Sequence, residues 1–334
     1  MEELMKIICY GVRETDQEFF NSLNKKYNYQ LILKSELLTH ENIATAKGCD
    51  AVMLRANCIA DEKNLNQLKS YGVKYLLTRT VGFNHIDVAY AKSLGFLVAR
   101  VPAYSPNAVS ELAVALAVGL LRNTFYIANN STNKNFKVDN FIFAKEIRNS
   151  TIGIIGTGRI GIEFAKAFKG MGAKILGYDI YPNKNNETIL EYTDLNTLLK
   201  NSDLISLHTP YIPGENDKMV NQDFLNKMKD GSFLINAARG ELIDHEALYQ
   251  ALITNKLKGA ALDTINQEGE IFFKDFKNQK LPIEIYEKLN SLYPRVIITP
   301  HIGSYTDEAT KNMIEISYQN LDDLINNRDC LNQL

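Results

Sequence analysis

The stretch Thr151-Ile152-Gly153-Ile154-Ile155-Gly156-Thr157-Gly158-Arg159-Ile160-Gly161 decides how the rest of the chain reads. Its β-branched run predicts a strand, the glycines a G-x-G-x-x-G turn, and Ile162, Phe164, Ala165 and Phe168 a helix after it. A second strand then ends at Asp179. A glycine triplet alone is weak evidence, but strand, turn, helix and a carboxylate about 20 residues on together predict a dinucleotide site. Gly156 permits the tight turn, Gly158 lets a pyrophosphate approach the backbone, and Gly161 allows close helix–strand packing. The helix N-terminus supplies N–H groups to the anion. Asp179 should accept the adenosine ribose hydroxyls and repel a 2′-phosphate, which favours NAD over NADP; its other reading is a plain turn residue.

Working outward, the same rhythm continues at Leu204 to His208, Ser232 to Asn236, Gly259 to Asp263 and Val296 to Thr299, six strands in all with Thr151 to Gly156 and Lys174 to Asp179. It also precedes the glycine turn, at Lys6 to Tyr10, Leu31 to Leu33, Ala51 to Leu54, Tyr75 to Thr78 and Phe96 to Val98. Short strands alternating with helices predict βαβ units and mainly parallel sheets. Between the two series, Val101-Pro102-Ala103-Tyr104-Ser105-Pro106 marks a boundary. The helix expected from Asn107 to Arg122 is apolar nearly all round, so it needs cover. Asn123 to Asn149 is polar and reads as an irregular excursion, and a last helix is expected over Asp307 to Asn326.

The chain has 334 residues, 45% hydrophobic and 23% charged. At ~150 residues per domain that suggests about two domains. Lys and Arg number 37 against 39 Asp and Glu, without a long like-charged block, which argues against a nucleic-acid binder. The strongly apolar run Leu112 to Leu121 is too short to span a bilayer, so no membrane role is expected. The N-terminal Met1-Glu2-Glu3-Leu4-Met5-Lys6 is acidic where a signal peptide is basic. Cys9, Cys49, Cys58 and Cys330 show no C-x-x-C spacing, so neither a metal site nor a disulfide framework is expected, and a reduced, cytoplasmic setting is.

Three ionisable residues follow the ends of later strands, where open α/β sheets hold ligands: Arg239, Glu268 and His301. Singly they also read as a surface ion pair, a solvated loop acid and a structural histidine. Together they resemble the D-isomer-specific 2-hydroxyacid dehydrogenase family, over nearly the whole chain. The matching segments are Arg79-Thr-Val81-Gly82-Phe-Asn84-His-Ile86-Asp87, Val101 to Glu111, Gly156 to Gly161, Asn236 to Asp244, Ala260 to Asp263 and Thr299-Pro300-His301.

That resemblance implies two doubly wound parallel-sheet domains, a Rossmann NAD domain (104–303) inserted in a flavodoxin-like substrate domain (1–103 and 304–334), with hinges near Ala103 and Gly303. It implies hydride transfer to the carbonyl carbon of a 2-oxo acid while His301 gives the oxygen a proton. Glu268, five residues after Asp263, would hold the other ring nitrogen and favour the imidazolium, leaving Glu270 a loop acid. Arg239 would bind the substrate carboxylate through a planar, permanently charged fork. The N–H groups of Val81 and Gly82 would hold that carboxylate too, and Tyr104 would line the pocket. Arg159, Ile160, His208-Thr209-Pro210, Ala237 and Ala238 would run along the cofactor, with Asp263 behind the histidine. His85 and His245 read as structural or surface residues, and the helix from Asn107 with the excursion after it resembles a homodimer interface.

For the substrate, the long segment from Glu268 to His301, with Ile271-Phe272-Phe273, resembles the D-lactate dehydrogenase branch. Leu54-Arg55-Ala56-Asn57-Cys58, Ser304 to Glu308 and Leu292 to Arg295 are more similar to (R)-2-hydroxyglutarate dehydrogenases. Arg55 is then expected to pair with the distal carboxylate of 2-oxoglutarate. Otherwise it is a structural ion pair, and a smaller 2-oxo acid such as pyruvate or 2-oxoisocaproate is favoured. An NADH-sensing binding protein that shares these residues is the alternative from another class.

Overall fold

The computed structural model describes residues 4–334; Met1 to Glu3, and with them part of the acidic N-terminal stretch, lie outside the described residues. The chain divides into two compact units, one running to Ser105 and resuming at Tyr305, the other Pro106–Ser304.

The first unit holds five parallel strands, β1 (Lys6–Cys9), β2 (Gln30–Leu33), β3 (Ala51–Leu54), β4 (Tyr75–Thr78) and β5 (Leu97–Arg100), in the order β2-β1-β3-β4-β5. The central strand β3 is buried along its whole length, as its apolar sequence requires of a sheet covered on both faces. One face packs Leu65, Leu68 and Ala91 from the helices Glu62–Ser70 and Val88–Ser93. Asp61 and Asp87 start those helices by accepting backbone N–H groups with their side chains. The other face is covered by the helix Asp307–Ile325, whose Ile314, Tyr318, Leu321 and Leu324 meet Ile7, Cys9, Met53 and Leu77. Its stripe of apolar positions thus finds its cover some 200 residues upstream in the chain, across the inserted unit.

The second unit holds seven parallel strands, β6 (Thr151–Ile155), β7 (Lys174–Tyr178), β8 (Glu191–Tyr192), β9 (Leu204–Leu207), β10 (Ser232–Asn236), β11 (Leu257–Leu262) and β12 (Val296–Ile298). Their order is β12-β11-β10-β9-β6-β7-β8, so the chain reverses direction across the sheet between β6 and β9. Ligands of open α/β sheets lie at that switch point, outside the carboxyl ends of the strands. Both units are doubly wound α/β sheets.

Two local expectations are corrected. The sheet has a seventh strand: Glu191–Tyr192 adds at its edge beside β7, a two-residue pairing too short for an alternating pattern to betray. The excursion after Asn123 contains a helix, Thr124–Thr132, where Asn, Ser and Thr content argued for a loop. Asn123 adopts a left-handed conformation (φ 54°) that ends the helix Pro106–Leu121 and starts the new one at once.

Candidate active site

The glycine turn leaves β6 as its sequence requires. Gly156 has φ +91°, and a Cβ there would stand 2.6 Å from the backbone of His208 and Thr209, so only glycine fits. A Cβ at Gly161 would meet the Gly156 carbonyl oxygen at 2.1 Å, which is the close helix contact expected of that position. Gly158 differs: it caps the helix Arg159–Gly170, no side chain caps that helix, and nothing lies within 4 Å of where its Cβ would be. An open, uncapped helix N-terminus beside an exposed Gly158 and Arg159 is what a dinucleotide pyrophosphate needs. Asp179, at the end of β7, is half-buried and oriented by N–H groups of Thr157 (2.7 Å) and Tyr181 (2.9 Å). These residues fit NAD.

His208 corrects part of the expectation. Its backbone runs past Gly156, but its ring turns inward, with Nε2 2.9 Å from Ser206 Oγ and the ring packed on Phe164. Burial of the ring lowers its pKa to about 3, so the ring is neutral, and what His208 offers at the glycine turn is its half-buried backbone. Thr209 and Pro210 follow it on the rim, half-buried and exposed.

The ionisable residues follow the carboxyl ends of β10, β11 and β12; Glu268 and His301 meet there, and Arg239 Nη1 donates to the Ala238 carbonyl (2.7 Å). Arg239 follows β10, and Asn236 steadies its backbone by donating Nδ2 to the Arg239 carbonyl (2.8 Å) and accepting the Ala238 N–H (3.0 Å). The next residue, Gly240, is pressed against the exit of β11: a Cβ on it would stand 2.0 Å from the Ile265 carbonyl carbon. The Arg239 loop and the loop that carries Glu268 are therefore in backbone contact. Gln267, left-handed at φ 57°, opens the turn Glu268–Glu270. Of the two acids there, Glu268 reaches the histidine, its Oε1 2.8 Å from His301 Nδ1, while Glu270 is exposed.

His301 itself has φ +51°, a costly conformation for a residue with a side chain. The compensation is local. Its N–H donates to the Asp263 carbonyl (2.9 Å), and the Asp263 carboxylate accepts Thr299 Oγ1 (2.7 Å) and the N–H groups of Ile302 and Gly303 (both 2.9 Å). Asp263, expected along the cofactor and behind the histidine, is 1% exposed and committed to this loop. Burial pushes its carboxyl above the ordinary value, against the hydrogen bonds that favour the anion. The long connection from Glu268 is anchored by Ile271 and Phe272 in the core, and by Tyr286, whose hydroxyl donates to the Asn266 carbonyl (2.8 Å). His245 lies edge-on to Tyr286, buried. Asn236, Thr299 and Tyr286 were not singled out from the sequence: Asn236 acts within its own turn, while Thr299 and Tyr286 reach the residues that follow β11.

Val81, Gly82, Tyr104 and Arg55 belong to the first unit. Val81 and Gly82 are held through their carbonyls: Arg100 donates to Val81 (3.0 Å) and Thr80 Oγ1 to Gly82 (2.6 Å). The Thr80 hydroxyl is bonded to Thr78 (2.7 Å), and Thr78 to His85 Nε2 (3.1 Å). Since Gly82 can only accept, the hydroxyls point toward it and His85 must carry its proton on Nε2. Tyr104 is half-buried in the connection after β5. Arg55 leaves β3 half-buried, and burial followed by the charges of Arg13 and Arg79 lowers its pKa to about 10. Arg79 is buried and bonded to the Tyr10 carbonyl (2.7 Å), with Asp16 3.7 Å away; Arg13 stacks on Tyr305 at 3.7 Å. Arg13, Arg55, Arg79 and Asp16 thus stand close together after these strands.

Among the described residues no cluster of His, Cys, Asp and Glu could hold a metal ion, all four cysteines are buried free thiols, and no single helix is long and apolar enough to cross a membrane.

Residues 114–303 match the family model described as D-isomer specific 2-hydroxyacid dehydrogenase, NAD binding domain. The chain is 41% identical over 330 residues to an aromatic 2-oxoacid reductase of Clostridium sporogenes, covering 98% of this chain and 99% of that one. It is also 41% identical over 315 residues to a D-lactate dehydrogenase of Lactiplantibacillus plantarum, 94% of each chain. A solved D-lactate dehydrogenase with NAD+ from Lactobacillus jensenii matches with a TM-score of 0.85 at 37% identity, over 99% of both chains.

Proposed function

Because the chain belongs to the D-isomer-specific 2-hydroxyacid dehydrogenase family and is an NAD-dependent oxidoreductase, we propose that His301, Glu268 and Arg239 carry the reduction of a 2-oxo acid to the (R)-2-hydroxy acid. The observation that supports this reading most is the 2.8 Å pair of Glu268 Oε1 and His301 Nδ1 on a loop clamped by Asp263.

When bound, the dinucleotide would supply the hydride. Gly156, Gly158, Gly161 and the N–H groups of Arg159 and Ile160 would hold its pyrophosphate, Asp179 its ribose, and His208, Thr209, Pro210, Ala237 and Ala238 its length. Glu268 accepts Nδ1–H, which fixes the ring and turns Nε2 to give its proton to the carbonyl oxygen. In the reverse direction the neutral Nε2 removes it. Arg239 binds the carboxylate next to the reacting carbon through two parallel N–H bonds and draws charge from the carbonyl. The N–H groups of Val81 and Gly82 are assigned to the same carboxylate, and Tyr104 to the pocket wall.

The substrate assigned is 2-oxoglutarate, with Arg55 on the distal carboxylate. Its support is the positive charge that Arg13 and Arg79 bring close to Arg55, enough to lower its pKa. The second reading, an aromatic 2-oxo acid or pyruvate, is favoured by the names of the relatives. NADH oxidation with 2-oxoglutarate, phenylpyruvate, pyruvate and 2-oxoisocaproate decides between them, repeated with Arg55→Ala. Selective loss of 2-oxoglutarate turnover in the variant supports the first reading. Wild-type preference for phenylpyruvate or pyruvate, or equal losses on all four acids, rejects it.

The assembly assigned is a homodimer through the cofactor-binding unit. Its support is Phe136, Val138 and Phe143, which are 78%, 88% and 84% exposed, beside a helix, Thr124–Thr132, with no buried residue. Phe143→Asp should shift sedimentation to a single chain; an unchanged dimer, or a wild-type monomer, rejects it. The four buried free thiols suit a reducing cytoplasm.

A further inference from the structure

The two-residue strand β8 does more than extend the sheet. Tyr192 on it lies beside Gly177 of β7, and its hydroxyl reaches the residue between the first two glycines of the fingerprint: Thr157 Oγ1 is 2.9 Å away. Thr157 Oγ1 in turn lies 3.1 Å from Asp179 Oδ2, and the backbone N–H of Asn183 lies 3.1 Å from the Tyr192 hydroxyl. We propose that Tyr192 and Thr157 form a positioning relay that immobilises the Asp179 carboxylate and thereby sets how strongly the protein prefers NADH to NADPH. The inference rests on reading Asp179 as the ribose acceptor.

The direction of every proton in this chain is determined by its ends. A backbone N–H only donates and a carboxylate only accepts. The Asn183 N–H therefore donates to the Tyr192 oxygen, the Tyr192 O–H to Thr157, and the Thr157 O–H to Asp179 Oδ2. The Asn186 side-chain amide supports the same corner from 3.3 Å to the Thr157 carbonyl and 3.5 Å to the Tyr192 hydroxyl. Bonds aligned head to tail polarise one another, which strengthens the last one, to the charged acceptor.

The carboxylate is then nearly saturated. Oδ2 accepts both the N–H and the hydroxyl of Thr157, and Oδ1 accepts the Tyr181 N–H. Of about four acceptor positions on a carboxylate, one is left, on Oδ1. Two consequences follow for a nucleotide. A ribose hydroxyl meets an acceptor already oriented, with little ordering left to do. A 2′-phosphate meets a full negative charge that three donors prevent from swinging aside. Loosening the carboxylate weakens NADH and relieves NADPH, so the ratio of their dissociation constants falls from both sides.

The test is calorimetric titration of the full chain with NADH and with NADPH, without any 2-oxo acid, for wild type, Thr157→Val, Thr157→Ser, Tyr192→Phe, the Thr157→Val/Tyr192→Phe double variant and Asp179→Asn. Thr157→Val should lower the NADPH:NADH ratio of Kd values by about tenfold, since it removes a bond to a charged acceptor and keeps the branched shape. Tyr192→Phe should lower it by about threefold, and by nothing more once Thr157 is Val, because the relay is already broken. Thr157→Ser should restore the wild-type ratio. A ratio unchanged in both Thr157→Val and Tyr192→Phe, with both nucleotides weakened alike, overturns the relay if Asp179→Asn collapses the ratio. Failure of Thr157→Ser to rescue overturns it as well, by assigning the effect to the lost methyl group. An unchanged ratio in Asp179→Asn instead overturns the ribose reading, and the relay with it.

Discussion

The carboxylate of Asp263 reaches past His301 to the backbone N–H of Gly303 at 2.9 Å, while the carbonyl of Asp263 takes the N–H of His301 itself. One residue at the end of β11 thus brackets the histidine from both sides. The histidine's left-handed backbone is held by bonds to a neighbouring strand exit and by its own loop, where its N–H also reaches the Thr299 carbonyl (2.9 Å).

Asp263→Asn tests that bracket. The amide offers one acceptor oxygen where three donors converge, so at least one N–H or hydroxyl loses its partner in a site that is 1% exposed. Bonds of this type to a charged group contribute ~1.5–3 kcal/mol each. Chemical denaturation should show a loss of about 2–3 kcal/mol, and steady-state kinetics a fall in kcat larger than any rise in KM. Native stability in the variant would show that the clamp is dispensable.

Removal of the imidazole should separate chemistry from cofactor binding. His301→Ala is expected to collapse turnover by at least about a hundredfold, the lower end for a lost general acid, with NADH affinity nearly unchanged. Glu268→Gln should lower kcat for reduction, because the ring loses the carboxylate that orients it at 2.8 Å. Near-native reduction by His301→Ala, or a native kcat in Glu268→Gln, would remove that residue from its role.

Gly240→Ala addresses the contact between the two active-site loops. The added methyl would stand 2.0 Å from a backbone carbon, which no rotamer change relieves. Overpacking of this kind costs about 1–3 kcal/mol or more, and here it also separates Arg239 from the Glu268 turn. The expected result is a lower unfolding midpoint together with a raised KM for the 2-oxo acid; wild-type values of both would refute the contact.

Acid should weaken the fold through histidines that the reaction does not use. Burial lowers the pKa of His85 to about 4, of His208 to about 3 and of His245 to about 4. Unfolded histidine titrates near ~6.5, so each takes up a proton on unfolding in the window below that value. Their contribution is present above about pH 6.5 and is lost as pH falls toward 4, at up to ~1.4 kcal/mol per pH unit for each neutral ring. Urea unfolding between pH 5 and about 7 should show this slope, and His208→Gln should reduce it by about one proton. An equal slope in that variant would contradict the buried neutral assignment.

How legible each part was depends on how local its cause is. Gly156, Gly158 and Gly161 are demanded by the backbone of one turn, so the stretch that contains them declares itself. Arg239, Glu268 and His301 could be noted as charges after strands, but only the family resemblance and a five-residue count from Asp263 separated Glu268 from Glu270. The fate of the His208 ring was hidden, because whether it turns toward Phe164 or toward the rim is settled by packing between a strand and a helix. The helix Thr124–Thr132 was hidden for a different reason: its residues are poor helix formers, and nothing in its own composition announces it. Strand β8 and the Tyr192 hydroxyl depend on two residues of edge pairing, below the length at which any periodicity can be read.

The discontinuity of the first unit has a consequence for biosynthesis. When its five strands have left the ribosome, the face that awaits Ile314, Tyr318 and Leu321 is still bare, and about 200 residues must be translated before the covering helix exists. At ~5–20 residues per second that is an interval of roughly ten to forty seconds, during which the inserted unit can mature alone. Chains truncated just before Asp307 and released should therefore engage chaperones through the first sheet, while the nucleotide-binding half is already protease-resistant.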